Sequence, residues 1–277
     1  MKNILIVGSN SYLAKYFIKA NSQQFNITSI SISKKYIYFK KKLFYLKKID
    51  IKELSKFLNP KDFYSVIFFH SYGTKHQKNL KKLENSNFKI PLIFFNFFKL
   101  QKKTVKFIYF GSVSEYNNFS KDLYAKFKNK TRIYLQRNAR KFNIQTIILQ
   151  LFYIYGQNEN KHRLFSSIKS KIISNKKITI SNPDQYLDFL HVDDFSKALT
   201  KIINKKLDNY FYQYKLCYGK KYKIKKVVKY FKYNNINFLN PKKKIVNYNI
   251  SGSKKFNLAV RWKPKINIKQ GINEYIA

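Results

Sequence analysis

Apolar and polar positions fall into two periods that take turns along the first two thirds of this chain. Asn3–Gly8, NILIVG, is a continuous apolar run, the pattern of a strand buried on both faces. A turn follows, and Lys15–Ala20 reads as helix. Ile27–Ile32 alternates strictly, as a strand does. Val66–Ser71 and Lys106–Gly111 (KFIYFG) read as further buried strands, and Tyr124–Arg140 as a long helix. Leu149–Gly156 (LQLFYIYG) is another buried strand, followed by a helix, a short strand, the run Asp188–Asp194 and a further helix. Strands separated by helical stretches predict an α/β fold with a doubly wound parallel sheet. No internal repeat and no Gly/Ser- or Pro-rich linker occurs. A smaller C-terminal lobe is therefore expected to interleave with the sheet domain.

With 277 residues the chain can bury a sizeable core. Its formal net charge of +44 invites a nucleic-acid reading, but arginine occurs only at Arg132, Arg137, Arg140, Arg163 and Arg261. The rest of the positive charge is lysine spread along the whole chain. Abundant Lys, Asn, Ile, Phe and Tyr beside 7 Gly, 5 Pro and 1 Trp fit an AT-rich coding sequence. The charge predicts weak attraction for polyanions and steering of nucleotide substrates, with no specific nucleic-acid partner. A single cysteine, Cys217, excludes a disulfide framework and fits a reducing cytoplasm. The N-terminus runs straight into a strand without a signal-peptide cleavage region, and Ser65–His70 and Ile90–Phe98 are too short to span a bilayer. A cytoplasmic protein with no membrane insertion is expected.

The candidate chemistry sits at the predicted strand ends. Gly8-Ser9-Asn10-Ser11-Tyr12-Leu13-Ala14 joins a buried strand to a helix, where backbone N–H groups and a helix N-terminus can receive a pyrophosphate. Gly8, Asn10, Ser11, Tyr12 and Leu13 are the candidate cofactor contacts there. The second strand ends in Ser33-Lys34-Lys35, with no acid for a ribose 2′-hydroxyl. Ser33 and Lys34 suit a 2′-phosphate, so NADP(H) is preferred over NAD(H). Ser112 follows the strand Lys106–Gly111, and Tyr124 and Lys128 lie one turn apart on one helix face. A nearby ammonium favours the phenolate of a tyrosine whose ordinary pKa is near 10. The Tyr-x-x-x-Lys spelling also occurs at Tyr36, Tyr38 and Tyr222, so position rather than spelling singles out Tyr124. No metal site is expected.

These segments together resemble the extended short-chain dehydrogenase/reductase family, the NAD(P)-dependent epimerases, dehydratases and reductases of nucleotide sugars. The resemblance implies a Rossmann-type domain over residues 1–152 and a mainly substrate-binding lobe over 153–277, with 189–205 returning to the first. It implies that Tyr124 donates a proton, Ser112 holds the substrate oxygen, and Lys128 binds the nicotinamide ribose and lowers the pKa of Tyr124. In the family's Gly-x-x-Gly-x-x-Gly pattern only Gly8 is kept, with Ser11 and Ala14 in the other places. Asp50-Ile51 matches the pair that ends the third strand beside the adenine, and His70-Ser71 stands where relatives have Ala-Ala, so His70 is a further cofactor candidate.

On the substrate side, Tyr153 replaces an asparagine that contacts the nucleotide diphosphate and Leu187 replaces an arginine. Arg163 and neighbouring lysines are the candidates to supply the missing charge. Val113 and Ser114 occupy the acidic positions of the dehydratases, which disfavours dehydration, and Cys217 lies in the wrong region to act as an extra acid. The Ser112–Tyr124 interval is short, implying a trimmed loop. Asp193 and Asp194 are expected to cap a helix, and His191 to be packed. Lys223–Val228 and Leu258–Ile276, with Trp262, resemble the family's C-terminal segments. The implied function is an NAD(P)-dependent oxidoreductase of a nucleotide-activated sugar, through 4-keto reduction or else 4-epimerisation. A homodimer is compatible with this. A non-catalytic NAD(P) sensor or scaffold and a lysine-rich polyanion binder are the readings from other classes.

Overall fold

The computed structural model describes residues 1–73, 79–99, 101, 103–116, 122–239 and 253–276. The chain forms two compact units, Met1–Gln150 with Ile203–Tyr214, and Leu151–Ile202 with Lys215–Ala277. In chain order the strands are β1 (Lys2–Val7), β2 (Phe25–Ser31), β3 (Tyr36–Phe39), β4 (Lys42–Tyr45), β5 (Ser65–Phe68), β6 (Val105–Ser112) and β7 (Ile144–Leu151). They continue with β8 (Tyr153–Tyr155), β9 (Ile178–Ile180), β10 (Tyr186–His191), β11 (Phe211–Leu216), β12 (Lys221–Lys223) and β13 (Ile236–Phe238). The helices of the first unit are α1 (Tyr12–Asn21), α2 (Ile51–Ser55), α3 (Leu80–Glu84), α4 (Ile90–Phe97) and α5 (Leu123–Asn138).

The first unit is an eight-stranded sheet in the order β11-β7-β6-β5-β1-β2-β3-β4. β1 pairs in parallel with β2 and β5, and β5 with β6. Chain order therefore reverses on either side of β1, the switch point outside which ligands of such sheets bind. Ile4, Leu5, Ile6 and Val7 are fully buried, as the unbroken apolar run predicts for a strand covered on both faces. Phe68, Phe94, Phe95, Phe107 and Leu135 belong to one apolar core of this unit.

Two features depart from the sequence reading. No parallel third strand leads into Asp50. Instead β3 pairs antiparallel with β2 and β4 antiparallel with β3, so a hairpin extends the sheet edge. Its two-residue loop, Lys40-Lys41, has φ of 47° and 61°, the left-handed pair that such loops require. Lysine adopts this at a cost of about 1–2 kcal/mol per residue, which hides the turn from a reader looking for Asn-Gly. Asp50 lies beyond the hairpin and caps α2, its Oδ1 accepting the Glu53 N–H at 2.8 Å.

The second departure is the returning segment. It is Ile203–Tyr214, later than 189–205. It is fastened by Lys106, a buried lysine of β6 whose Nζ donates to the carbonyls of Ile203 (2.8 Å) and Lys205 and to the Tyr64 hydroxyl at 2.9 Å. Asp194 works in the second unit: its Oδ2 accepts the N–H groups of Lys265 and Ile266, both at 2.8 Å.

The second unit holds α6 (Leu164–Ile173), α7 (Val192–Asn204), α8 (Ile224–Lys229), α9 (Ser253–Val260) and α10 (Ile268–Ile276). Its sheets are β12-β10-β8 and β13-β9. Tyr155, Phe165, Phe189, Val228, Ile272 and Tyr275 form its own core. Among the described residues no helix is long and apolar enough to cross a membrane.

Candidate active site

The β1–α1 turn is built for close approach. Gly8 has φ +90°, and a Cβ there would lie 2.5 Å from the His70 backbone nitrogen, so both conformation and space demand glycine. The N–H groups of Gly8 and Ser9 are anchored on the Ile30 carbonyl, at 2.7 and 3.0 Å. Ser11 is the N-cap of α1, with ordinary extended backbone (φ −69°, ψ 151°), and its Oγ accepts the Ala14 N–H at 3.3 Å. The second glycine place of the family pattern is therefore compatible with serine here, because the hydroxyl turns back along the helix.

Ser9 Oγ and His70 Nε2 are buried without a hydrogen-bond partner in the protein. Unpaired buried polar atoms are costly, and a dinucleotide at this turn would satisfy them. The residues thus fit the cofactor that the strand, turn and helix imply. Gly8, Ser11, Tyr12 and Leu13 form this turn. Asn10 braces the corner, donating from Nδ2 to Ser31 Oγ at 2.8 Å and Ser33 Oγ at 3.4 Å. Lys34 is exposed beside them, and its N–H also bonds Ser31 Oγ. Lys35 is turned away, donating to the Lys47 carbonyl at 3.4 Å. Asp50 is engaged with Lys48 at 2.9 Å, which holds its carboxyl below the usual carboxylate range. Ile51 is the exposed first residue of α2.

The catalytic candidates come together within the first unit. β6 ends in Ser112, and α5 carries Tyr124 and Lys128 one turn apart, with Asp122 capping it through the Ala125 N–H at 3.2 Å. The hydroxyls of Ser71 and Ser112 act on the Tyr124 phenol and favour its ionised form. Burial raises the Tyr124 pKa, and the neighbouring charges of Glu115 and Asp122 raise it further against those two hydroxyls. The Lys128 Nζ is turned instead to the Phe110 carbonyl at 2.9 Å, 5.8 Å from the Tyr124 ring centre and 4.6 Å from that of Tyr109. Lys128 is buried, which pulls its pKa down to about 8. His70 is pushed to about 4, first by burial and then by the charge of Lys128, so it is neutral near pH 7.

Three residues that the sequence reading did not assign to the site support it. Ser71 donates to Asn87 Oδ1 at 2.8 Å. Asn87 sits fully buried in a single π-helical turn, Asn85–Lys89, where its Nδ2 donates to the Tyr72 and Leu83 carbonyls. Its own carbonyl receives Thr131 Oγ1 from α5 at 2.5 Å and the Tyr109 hydroxyl at 3.3 Å. Such turns often mark functional sites. The third is Glu115, whose Oε1 accepts the Ser112 N–H at 2.6 Å. The loop 117–121, expected to be trimmed, lies outside the described residues.

In the second unit the substrate candidates Tyr153 and Arg163 meet, but around an internal anion. The Arg163 guanidinium stacks on the Tyr153 ring at 4.4 Å and donates to Glu159 Oε2 at 2.9 Å and the Ile154 carbonyl at 2.7 Å. Glu159 is buried at the start of α6, where its Oε1 accepts the Ser166 N–H at 3.3 Å. The Tyr153 hydroxyl accepts the Leu164 N–H at 2.9 Å. The α6 N-terminus and Arg163, the natural place for an external phosphate, already hold a carboxylate. Leu187 packs against this unit's core, and Asp188 takes the N–H groups of Tyr218 and Gly219 at 2.7 Å each.

His191, Asp193 and Glu274 each bring a potential ligand atom to within 4.8 Å of one another. However, His191 Nδ1 accepts the Asp193 N–H at 3.3 Å, which leaves the proton on Nε2 facing Glu274 at 3.7 Å. The imidazole then has no lone pair to offer a cation, and it packs edge-on against Tyr155.

A glycine turn at the switch point of a parallel sheet, with Ser, Tyr and Lys gathered at a neighbouring strand end, defines the dinucleotide-dependent short-chain dehydrogenase/reductase class. The family model of the NAD dependent epimerase/dehydratase family matches residues 4–213, and the chain belongs to that family. No curated protein matches it in sequence. Among solved structures it is similar to RMD from Pseudomonas aeruginosa complexed with NADPH (14% identity, 100% of this chain and 98% of that one, TM-score 0.78). It is similar as well to UDP-glucuronic acid 4-epimerase from Bacillus cereus, in complex with UDP-glucuronic acid and NAD (16%, 99% and 98%, TM-score 0.79). A third is dTDP-glucose 4,6-dehydratase from Bacillus anthracis in complex with NAD (14%, 100% and 96%, TM-score 0.75).

Proposed function

We propose that this chain is an NAD(P)-dependent oxidoreductase that reduces a keto group of a nucleotide-activated sugar, with Ser112, Tyr124 and Lys128 as its machinery. The observation that carries the reading is Ser112 at the end of β6 and Tyr124 at the start of α5, with Lys128 buried one turn further on and its Nζ on the Phe110 carbonyl of the same strand at 2.9 Å. A nicotinamide supplies the hydride. Tyr124, in its neutral form, gives its proton to the alkoxide oxygen that Ser112 holds, and Lys128 orients the ribose side of the site. Dehydration is disfavoured because Val113 and Ser114 offer no acid or base and Glu115 is turned beneath the strand end.

NADP(H) is our preferred cofactor, since Ser33 and Lys34 stand at the end of β2 with Asn10 and Ser31 and no acid among them. Solved relatives include both NADPH and NAD complexes. The rival within the class is 4-epimerisation, the reaction named for the Bacillus cereus relative, which would use a retained NAD rather than consume NADPH. The test is absorbance at the nicotinamide band during titration with NADPH and NADH, with and without a panel of UDP- and dTDP-4-keto sugars. NADPH oxidation by one panel member is expected. Turnover of a 4-hydroxy sugar to its epimer without net cofactor oxidation would favour the epimerase. Failure to bind either cofactor would overturn the reading.

A further inference from the structure

We propose that Glu115 is a positioning residue that ties the Ser112 end of β6 to the Lys128 face of α5 and keeps both in register for proton transfer. The inference rests on the Ser112, Tyr124 and Lys128 assignment above and adds a fourth group to it. Glu115 lies in the short 3₁₀ turn Val113–Tyr116 that follows β6, and it is turned inward. It can do so because residue 111 is glycine: a Cβ there would sit 2.6 Å from Glu115 Oε1. Oε1 instead takes the Ser112 N–H at 2.6 Å. The second oxygen, Oε2, is buried, has no hydrogen-bond partner, and lies 3.6 Å from Arg132 Nε. Arg132 follows Lys128 by one turn of α5, and its terminal nitrogens are held by Asn129 and Gln136.

A buried carboxylate without full pairing is expensive, and this chain has only 13 acidic residues to place. What this one faces explains it. Lys128 is surrounded by the Phe110 carbonyl and Tyr109 ring from β6, Tyr124 and Arg132 from its own helix, His70 from beyond β5, and Glu115 from the turn. Burial works against the Lys128 ammonium, and Glu115 is the charge that works for it. Removing that charge while keeping the shape should leave Lys128 easier to deprotonate, by about one pH unit.

The test is a pH titration of the full chain with its lysines labelled at Cε with carbon-13. The Lys128 resonance is identified as the one missing from Lys128→Arg. In the wild type it should titrate well below the bulk of the lysines. Glu115→Gln should move it down by about one unit, and Arg132→Gln, which removes a competing cation, should move it up. A role confined to packing would give no such opposed pair, and unchanged titration in both variants would overturn the proposal. Arg132→Gln keeps the test open should Glu115→Gln fail to fold. The pH above which NADPH binding weakens should move with the lysine. If the resonance moves but no nicotinamide cofactor binds at any pH, the functional reading fails while the Glu115 coupling stands.

Discussion

The edge of the first unit and the start of α6 in the second are both places where this fold can receive a phosphate, and they are finished differently. At the first, polar atoms are left without protein partners: Ser9 Oγ beside Gly8, and His70 Nε2. At the second, Glu159 fills the position itself, holding Arg163 and the Ser166 N–H, while Tyr153 closes the Leu164 N–H. One corner is ready for a ligand and the other is already satisfied. The difference teaches that departures from a family pattern do not weigh equally. Ser11 leaves its turn intact, whereas Tyr153 and Arg163 participate in a different arrangement.

The largest expected effect tests the open corner. Tyr124→Phe removes the proposed proton donor while leaving the ring, so turnover should fall by about 10²–10⁴-fold. The NADPH dissociation constant should stay within about threefold. Unchanged turnover would remove Tyr124 from the mechanism. Next comes His70, a pH effect on stability. Its folded pKa of about 4 lies below the ordinary 6.5, so above pH 6.5 both states are neutral and no cost arises. As pH falls from 6.5 toward 4 the unfolded chain binds a proton that the folded chain refuses, and stability drops by about 3 kcal/mol over that window. Urea midpoints at pH 7 and pH 4.5 should therefore converge in His70→Asn relative to the wild type. Equal differences in both proteins would mean that the imidazole is solvated.

How much of this was legible in the sequence follows the range of each interaction. β1, β5 and β6 were readable because a continuous apolar run has one stable place, inside a covered sheet. The meeting of Ser112 with Tyr124 followed from a strand end and a helix start, both local signals. The β3–β4 hairpin was not readable, since its turn is made by two lysines in left-handed conformation. Ser71, Asn87 and Thr131 were missed because their contacts join residues 16 and 44 apart in the chain. The surroundings of Tyr124 were legible only in part: spacing shows that a lysine is near, but not that its ammonium faces the Phe110 carbonyl or that burial raises the phenol's pKa. The pairing of Glu159 with Arg163 has the i,i+4 spacing that a sequence displays, and it was overlooked because the arginine was read only against an absent ligand.

That pairing carries the third prediction, aimed at the closed corner. Arg163→Met strands a buried carboxylate and should cost about 2 kcal/mol at pH 7, less than a fully buried pair because the arginine side chain is 38% exposed. Burial already raises the Glu159 pKa, so it protonates more readily than an ordinary glutamate, and the loss should shrink as the pH falls toward 5. Adding Glu159→Gln should restore most of the stability, as expected for contacting residues. If Arg163→Met instead leaves the melting temperature alone and raises only the KM for a nucleotide sugar, Arg163 belongs to the substrate and the corner is open after all.

The smallest effect asks what the open corner reads. Lys34 is exposed at the end of β2, next to Ser31, Ser33 and Asn10, and a lysine there binds a 2′-phosphate as a screened point charge. Lys34→Ala should weaken NADPH by about tenfold, or about 1.4 kcal/mol, and leave NADH unchanged. The gap between the two cofactors should also narrow as salt rises. Equal affinity of the wild type for both would mean that the hydroxyls and amide of this corner hold the adenosine ribose without reading its phosphate. The preference would then pass to NAD(H), and with it the balance between a reductase that consumes its cofactor and an epimerase that keeps it.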